Sequence, residues 1–279
     1  MVCMGILLAM KELNGQEIVD FIKERQLHVS RGLRQAHGTT PKLVIVRTNP
    51  NPVVDIYMKL KKQYGEDIEA IVEVLDINQS KAVDEINKLN KDKTVKGIIV
   101  QLPLADKKDT DNILAAVDPV KDVDGLVPKT KFTPPTVMAI DWLLAGRNIN
   151  LLGKKIVIVG RGRLVGEPLF KNWQASELNV SVVDDNTKDL AASLKDADVV
   201  VTATGQAGLI KSSMIKQDAI VVDAGVSSGE NGLVGDVDDD VRLRGDVQIT
   251  PKKGGVGPLT LAALYENLLQ ATELQYKNT

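Results

Sequence analysis

The stretch "KKIVIVGRGRLVGEPLFKNWQ" (residues 154–174) decides how the second half of the chain folds. A short β-branched run leads directly into three glycines, Gly160, Gly162 and Gly166, and then into a helical pattern. Strand, glycine-rich loop and helix in this order are typical of the first turn of a dinucleotide-binding fold. The spacing is G-x-G-x-x-x-G, one residue longer than the usual fingerprint, so a plain strand-to-helix turn is the alternative.

Outward from this stretch, apolar runs alternate with helical patterns in both directions. The predicted strands are "MVCMGILLAM", "KLVIVR", "AIVEVLDI" and "VKGIIVQLPL" upstream, and "NVSVVDD", "DADVVVTATG", "DAIVVDAGV" and "VQITP" downstream. Strand and helix in alternation favour parallel sheets with right-handed crossovers. The sequence therefore predicts an α/β protein with two parallel sheets. The Pro-rich passage near residues 128–135 predicts the boundary between them.

The totals exclude several classes of protein. A length of 279 residues suggests two domains. A net charge of −2 and 3% aromatic residues argue against a nucleic-acid partner. The single cysteine, Cys3, excludes an internal disulfide and a cysteine metal cage, and fits a reducing cytoplasm. The opening apolar run lacks a basic flank and is too short to span a membrane, so it predicts a strand and no membrane partner.

Acidic residues follow the strand after the glycine loop, where a ribose contact belongs. Asp184 and Asp185 would accept hydrogen bonds from ribose hydroxyls and repel a 2′-phosphate, which favours NAD. Arg161 inside the loop could hold that phosphate, which favours NADP. A solvated turn is the alternative interpretation of the two acids. The residues alone leave the choice of cofactor open.

A second glycine-rich loop lies near the end of the chain, in "ITPKKGGVGPLTLAALYENLL" (residues 249–269). Glycine lets a backbone approach a ligand closely, and the helix that follows offers free N–H groups. The chain therefore has two loops suited to anionic or planar ligands.

Polar residues at helix and strand positions in the first half point to chemistry. Tyr57 and Lys61 are four residues apart and share a helix face, although exposed side chains would give the same pattern. Gln101 ends an apolar strand, where α/β sheets place their ligands. Asp122 and Asp124 precede Gly125 in a turn that could present a carboxylate or form only an Asx turn.

Taken in order, these motifs resemble one family. They are "NPVVDIYMKLK", "GIIVQLPL", "VDPVKDVDGL", "GRGRLVGEPL", "ITPKKGGVGPLT" and "ALYENLLQA". The chain resembles, over nearly its whole length, the bifunctional methylenetetrahydrofolate dehydrogenase/methenyltetrahydrofolate cyclohydrolase family. The resemblance implies a folate-binding catalytic lobe from residues 1–133 and the helix 260–279, and a Rossmann NAD(P)-binding lobe from 134–259, with the active-site cleft between them. It also implies a cytoplasmic homodimer that serves one-carbon metabolism and purine biosynthesis.

The resemblance also assigns roles to individual residues. Lys61 is the expected catalytic lysine, Tyr57 stacks on the substrate, Gln101 touches the lysine, and Asp124 holds the pterin ring. The expected cofactor contacts are Gly160, Arg161, Gly162, Gly166, Asp184, Asp185 and Val226. The expected folate contacts also include Val100, Leu102, Lys253, Gly254, Gly255, Val256 and Gly257.

The chemistry that the resemblance implies suits these residue types. Oxidation of the methylene bridge by NADP, or by NAD as the alternative, needs positioning more than acid or base help. Hydrolysis of the methenyl cation needs a base, and a lysine serves only if burial and a cationic substrate lower its pKa. No metal is expected.

Some features depart from the family pattern. "PKKGG" replaces the usual proline before the glycine pair, so Lys252 and Lys253 pair with the glutamate tail of the substrate or stay solvated. The loop between Asp124 and Thr133 is short and lacks the customary cysteine, and Gly162 replaces a common serine. A dehydrogenase without cyclohydrolase activity, a non-catalytic folate- or nucleotide-binding homologue and an unrelated Rossmann oxidoreductase are the alternatives. Retention of Lys61 and Gln101 argues against the first, and retention of Lys61 and Asp124 argues against the second. The third would leave "VQLPL" and "GGVGPLT" unexplained.

Overall fold

The computed structural model describes residues 12–50, 52–229 and 232–277. The strand predicted at the opening "MVCMGILLAM" lies outside these residues. The chain divides into two compact units. The lysine unit comprises residues 19–135 and 261–277, and the Rossmann unit comprises residues 12–18 and 136–260.

The lysine unit is built on a three-stranded parallel sheet in the order β2-β1-β3. Its elements, up to residue 115, are α1 (Gln16–His37), β1 (Lys42–Arg47), α2 (Pro52–Asp67), β2 (Ile71–Asp76), α3 (Ala82–Lys91), β3 (Gly97–Val100) and α4 (Thr110–Ala115). The strands are short β-branched runs, as predicted. α2 begins at a proline, whose fixed φ and missing N–H suit the first helical position. Helix α3 and the 113–127 segment pack their apolar residues on one face of the sheet.

The Rossmann unit contains a five-stranded parallel sheet in the order β10-β7-β6-β4-β5. Its elements are α5 (Pro135–Gly146), β4 (Ile156–Val159), α6 (Gly166–Ala175), β5 (Val180–Val183), α7 (Leu190–Leu194), β6 (Val199–Thr202), β7 (Ile220–Asp223), the hairpin β8 (Ser227–Gly229) and β9 (Gly232–Val234), α8 (Asp239–Arg242), β10 (Gln248–Ile249) and α9 (Val256–Lys277). β4 and β6 are buried along their whole length, as expected for central strands covered on both faces. The predicted α/β class with two parallel sheets is confirmed.

The two ends of the described chain each join a unit that is distant in sequence. Residues 12–18 group with the Rossmann unit, although the sequence placed them in the first lobe. The reason is a parallel bridge from Glu12 to Ile249, with the Leu13 N–H donating to the Ile249 carbonyl at 2.9 Å. From Leu261 onward, α9 belongs to the lysine unit.

Candidate active site

The helix α2 carries Tyr57 and Lys61 one turn apart on the same face. Both side chains are half-buried, whereas Lys59 and Lys62 are exposed. Burial raises the pKa of the Tyr57 hydroxyl. The interpretation of Tyr57 and Lys61 as exposed surface residues is therefore wrong, because the helix turns this face toward protein.

Gln101 fixes the position of the Lys61 amine. The amine donates to the Gln101 Oε1 atom at 3.0 Å, while the Gln101 Nε2 atom donates to the Leu102 carbonyl at 2.7 Å. Gln101 follows β3 directly, and its N–H donates to the Val46 carbonyl at 2.9 Å, which continues the sheet ladder. Because the amide nitrogen is occupied, its oxygen faces the lysine, and the sheet edge sets where that oxygen lies.

The two acids of the "KDVDGL" turn have different surroundings. Asp122 is buried, and its Oδ2 atom accepts a hydrogen bond from the Val127 N–H at 2.9 Å, so it closes the turn. Asp124 is half-buried and interacts electrostatically with Lys61. Asp122 therefore has a structural role, although its carboxylate reaches the N–H five residues on and not the N–H two residues on that an Asx turn uses, while Asp124 is the carboxylate that the turn presents.

Burial shifts the pKa values of the lysine and the carboxylate in opposite directions. It lowers the pKa of the Lys61 amine, an effect that the Asp124 charge partly opposes. It raises the pKa of the Asp124 carboxyl to about 6, with Lys61 opposing the shift and Asp122 adding to it. Low local polarity thus favours a neutral amine, which is the form that a general base requires.

A network of buried side chains, which the sequence patterns did not predict, links α2 to α9 and α1. The Tyr265 hydroxyl on α9 donates to the Lys61 carbonyl, and its ring stacks on Tyr64 with centroids 5.0 Å apart. The Tyr64 hydroxyl donates to Gln26 Oε1 at 2.9 Å, and Gln26 Nε2 donates to the Ala262 carbonyl at 2.8 Å. The only signal was the tyrosine in "ALYENLL", a pattern that by itself indicates core packing.

Two further expected folate contacts flank Gln101. The Val100 side chain is buried in the hydrophobic core of the lysine unit, so only its backbone can face a ligand. Leu102 is half-buried, and its carbonyl orients the Gln101 amide.

In the Rossmann unit, the first glycine loop leaves no room for side chains at two positions. Gly160 has φ +99°, and a Cβ atom there would lie 2.8 Å from the Ala203 carbonyl oxygen. A Cβ atom on Gly166 would lie 1.9 Å from the Gly160 carbonyl oxygen. At Gly162 a Cβ atom would meet no protein atom closer than 4.0 Å, so space remains beside the loop. The tight turn at Gly160, the free space at Gly162 and the helix that begins at Gly166 suit the binding of a dinucleotide's pyrophosphate.

The residues expected to choose the cofactor already have partners within the protein. The Arg161 Nη1 atom lies 3.3 Å from Glu167 Oε2, and its guanidinium lies 5.4 Å from the Phe170 ring centroid. Asp184 accepts from the Asn186 N–H at 2.9 Å and so shapes the turn after β5. Asp185 is exposed and reaches the Gln206 amide at 3.4 Å. The solvated-turn interpretation thus describes part of what both acids do.

Val226 lies between β7 and the hairpin, with its side chain exposed. Its carbonyl oxygen is near Gly205, which has φ +69° and follows β6. The residue therefore lies at the carboxyl edge of the sheet, where ligands bind in folds of this type.

The second glycine loop leads from β10 into α9. Lys252 forms an exposed ion pair with Asp239 at 2.7 Å, while Lys253 is exposed. The Gly254 carbonyl accepts from the Gly15 N–H at 2.7 Å. Gly255 and Val256 are buried, and Gly257 lies in the first turn of α9.

The structure thus brings Lys61, Gln101 and Asp124 together in the lysine unit, and gives the Rossmann unit two glycine loops at its sheet edge. A base-type site of this kind with a dinucleotide-binding unit defines a Rossmann-class α/β enzyme.

Comparison with known families gives the more specific assignment. Residues 13–124 match the catalytic domain of tetrahydrofolate dehydrogenase/cyclohydrolase, and residues 134–276 match the NAD(P)-binding domain of the same family. The chain belongs to the tetrahydrofolate dehydrogenase/cyclohydrolase family.

Relatives and solved structures agree with this assignment. The bifunctional protein FolD of Staphylococcus epidermidis is 36% identical, over 95% of this chain and 97% of its own. The bifunctional FolD dehydrogenase/cyclohydrolase of Campylobacter jejuni is 34% identical with a TM-score of 0.88, covering 94% of this chain and 98% of its own. The Trypanosoma brucei dehydrogenase-cyclohydrolase, solved with NADP and an inhibitor, is 28% identical with a TM-score of 0.86, covering 94% and 96%.

Proposed function

We propose that the enzyme oxidises 5,10-methylenetetrahydrofolate to 5,10-methenyltetrahydrofolate with a nicotinamide dinucleotide, and then hydrolyses that product to 10-formyltetrahydrofolate. The observation that carries the proposal is the Lys61 amine, half-buried, hydrogen-bonded to Gln101 and beside Asp124. A dehydrogenase alone needs no such base.

In the hydrolysis, Lys61 takes a proton from the water that attacks the methenyl carbon. The new hydroxyl then loses its proton as the bond from that carbon to N5 breaks and N5 takes a proton up, so the formyl group stays on N10 and one proton is released overall. Burial already lowers the pKa of Lys61, and a cationic substrate would lower it further, because a nearby positive charge disfavours the ammonium form. Gln101 accepts a hydrogen bond from the amine without adding charge, and so orients it. Tyr57, one turn earlier, offers its ring to the flat pterin.

Asp124 and the second glycine loop bind the folate. A carboxylate suits the adjacent N–H donors of a pterin edge, because charge-assisted paired hydrogen bonds are strong and directional. The proposed contacts of the loop are Gly254, Gly255, Val256 and Gly257, with Lys253 near the glutamate tail.

In the oxidation, the protein's part is to bind and align the two ligands. When bound, the dinucleotide accepts the hydrogen and two electrons that leave the methylene carbon. Gly160, Gly162 and Gly166 form the loop for its pyrophosphate, and Val226 offers a backbone contact at the sheet edge.

We propose NADP as the cofactor, with NAD as the alternative. Arg161 would hold the 2′-phosphate, and the Trypanosoma brucei relative was solved with NADP. Asp185, exposed in the turn after β5, would weaken that preference by charge repulsion. We expect Asp185→Asn to raise the NADP-to-NAD ratio of kcat/KM by about 3- to 10-fold, and Arg161→Met to lower it. Asp196→Asn, on the exposed surface, is the control.

We place the folate chemistry in the lysine unit and the cofactor in the Rossmann unit, and infer a cytoplasmic homodimer that supplies one-carbon units for purine biosynthesis. The support is the family to which the chain belongs. Among the described residues, no helix is long and apolar enough to cross a membrane. Light scattering on the purified protein tests the dimer.

The direct test of the function is a paired assay of the wild type. Oxidation of methylenetetrahydrofolate is followed with NADP and then with NAD, and hydrolysis of methenyltetrahydrofolate is followed separately. We expect both activities. Oxidation without hydrolysis would leave a monofunctional dehydrogenase, and folate binding without either reaction would leave a binding protein.

A further inference from the structure

A buried network of charged side chains runs between the two ligand loops of the Rossmann unit. Its members are Asp223, Asp236 and Arg242. The Asp236 residue is fully buried, and the Asp223 and Arg242 side chains are 4% and 14% exposed. Burying charge is costly unless partners compensate it, so each contact of these groups has structural meaning.

At one end of this network, Arg242 binds the start of the second glycine loop. The Arg242 guanidinium donates to the Thr250 carbonyl and, at 2.7 Å, to Asp223 Oδ2. The Thr250 hydroxyl oxygen in turn accepts from the Asp223 N–H at 2.9 Å. Thr250 is the residue between β10 and the loop that begins at Pro251. Arg242 therefore ties the root of that loop to the end of β7.

In the middle of this network, Asp223 binds the segment that carries Val226. The Asp223 carboxylate accepts from the backbone N–H groups of Gly225 at 3.2 Å, Asp236 at 3.0 Å and Val237 at 3.1 Å. Gly225 directly precedes Val226, whose backbone is a proposed cofactor contact.

At the other end of this network, Asp236 binds the segment that packs beside the first glycine loop. Asp236 Oδ2 accepts from the Thr202 hydroxyl at 2.7 Å and from the Thr204 N–H at 2.6 Å. Thr204 lies against Gly160, since a Cβ atom on that glycine would come within 3.1 Å of the Thr204 methyl group. Asp236 thus fixes the segment that packs beside the pyrophosphate loop.

We propose that Arg242, Asp223 and Asp236 are positioning residues. They hold the folate-side loop and the cofactor loops at fixed positions relative to one another for the oxidation. This inference rests on the proposed function of those loops. None of the three is among the proposed ligand contacts, and they act through Thr250, Val226 and Thr204. Disturbing one member should therefore weaken the binding of both ligands.

Arg244 offers a matched control for Arg242. It lies two residues away, is similarly buried, and also joins a carboxylate, Asp246, to backbone carbonyls, those of Ser212, Ile215 and Lys216. None of these partners belongs to a ligand loop. We expect Arg242→Met to raise the KM values for both NADP and methylenetetrahydrofolate by about 10-fold each. We expect Arg244→Met to lower the Tm by a comparable amount and leave both KM values within about 2-fold.

Two nearly isosteric variants cover the case in which Arg242→Met does not fold. Thr202→Val removes a hydrogen bond at the cofactor end, and Thr250→Val removes one at the folate end. We expect each to raise the KM values for both ligands. Unchanged KM values in these variants, or an equal rise in Arg244→Met, would overturn the inference, because a merely structural network would lower stability without selecting the ligand loops.

Direct binding separates this inference from the proposed function. Dissociation constants for NADP and for tetrahydrofolate are measured by calorimetry on the same variants. The absence of both activities from the wild-type protein would refute the proposed function. Wild-type affinities in a folded Arg242→Met would refute the coupling, whatever the activities are.

Discussion

The lysine site and the first glycine loop are built in opposite ways. Around Lys61, side chains form the proposed site, and their properties depend on burial and on a network that reaches Tyr265 on α9, 204 residues further along the chain. In the glycine loop the backbone forms the site, and the important side-chain property is the absence of a Cβ atom at Gly166. Charge and burial therefore determine the properties of the first site, whereas backbone shape determines those of the second.

A substitution that changes only shape should break the two activities apart. In Gly166→Ala the new Cβ would lie 1.9 Å from the Gly160 carbonyl oxygen, so the loop must move. Misplacement on the ångström scale costs about 100-fold in rate. We expect oxidation to fall by at least about 100-fold and hydrolysis to persist.

Gly245→Ala is the control for this variant, because a Cβ atom there meets nothing within 4 Å. Equal loss of both activities in Gly166→Ala, with an unfolded circular-dichroism spectrum, would show a global defect. Undiminished oxidation would show that the loop is not the cofactor site.

A substitution that changes only charge should retune the lysine site. The Asp124 carboxylate raises the pKa of Lys61, so Asp124→Asn lowers that pKa further. Since the neutral amine is the proposed base, the rise of the hydrolysis rate with pH should move to lower pH, once the uncatalysed rate is subtracted. Folate affinity should fall by about 10-fold as a charge-assisted hydrogen bond is lost.

The wild type carries an internal check on Asp124. Its carboxyl has a pKa of about 6, so it becomes protonated as the pH falls through that value. The KM for folate should therefore rise below about pH 6 in the wild type and stay flat in Asp124→Asn. Asp84→Asn on the exposed face of α3 should behave as the wild type. Identical pH profiles for the wild type and Asp124→Asn would remove Asp124 from the site.

The smallest effect should come from the network behind α2. Tyr265→Phe deletes the hydroxyl that donates to the Lys61 carbonyl and keeps the stacking on Tyr64. We expect a loss of about 1 kcal/mol in the free energy of unfolding and a fall in hydrolysis of less than about 5-fold. Denaturant titration and single-turnover hydrolysis measure the two. A similar change in Tyr276→Phe, whose ring is 43% exposed and stacks on His37 at the other end of α9, would argue against a specific role.

The sequence predicts the fold better than it predicts the contacts. Alternating apolar runs and helical patterns predict both parallel sheets, because burial on two faces requires continuous β-branched strands. The glycine spacing predicts the loop, because close backbone approaches admit no other residue. The pairing of Lys61 with Gln101, between α2 and the end of β3, depends on the register of β1 with β3, which local patterns do not determine.

The same limit applies to the acids. Asp122 and Asp124 are alike in sequence, and only the fold shows that the first closes a turn while the second lies beside Lys61. Asp223, Asp236 and Arg242 give even less signal, because Asp223 ends a strand, Asp236 follows a hairpin and Arg242 ends a short helix, where charged residues usually face solvent. Long-range tertiary contacts, not local propensity, give these residues their partners.

Paired assays of Lys61→Met and Lys59→Met test the central claim most directly, because the two lysines share a helix and only Lys61 is held by Gln101. We expect Lys61→Met to lose hydrolysis by about 10²- to 10⁴-fold, the contribution of a general base, while oxidation of methylenetetrahydrofolate survives. Lys59→Met should keep both activities. Hydrolysis at the wild-type rate in a folded Lys61→Met would show that Lys61 is not the base.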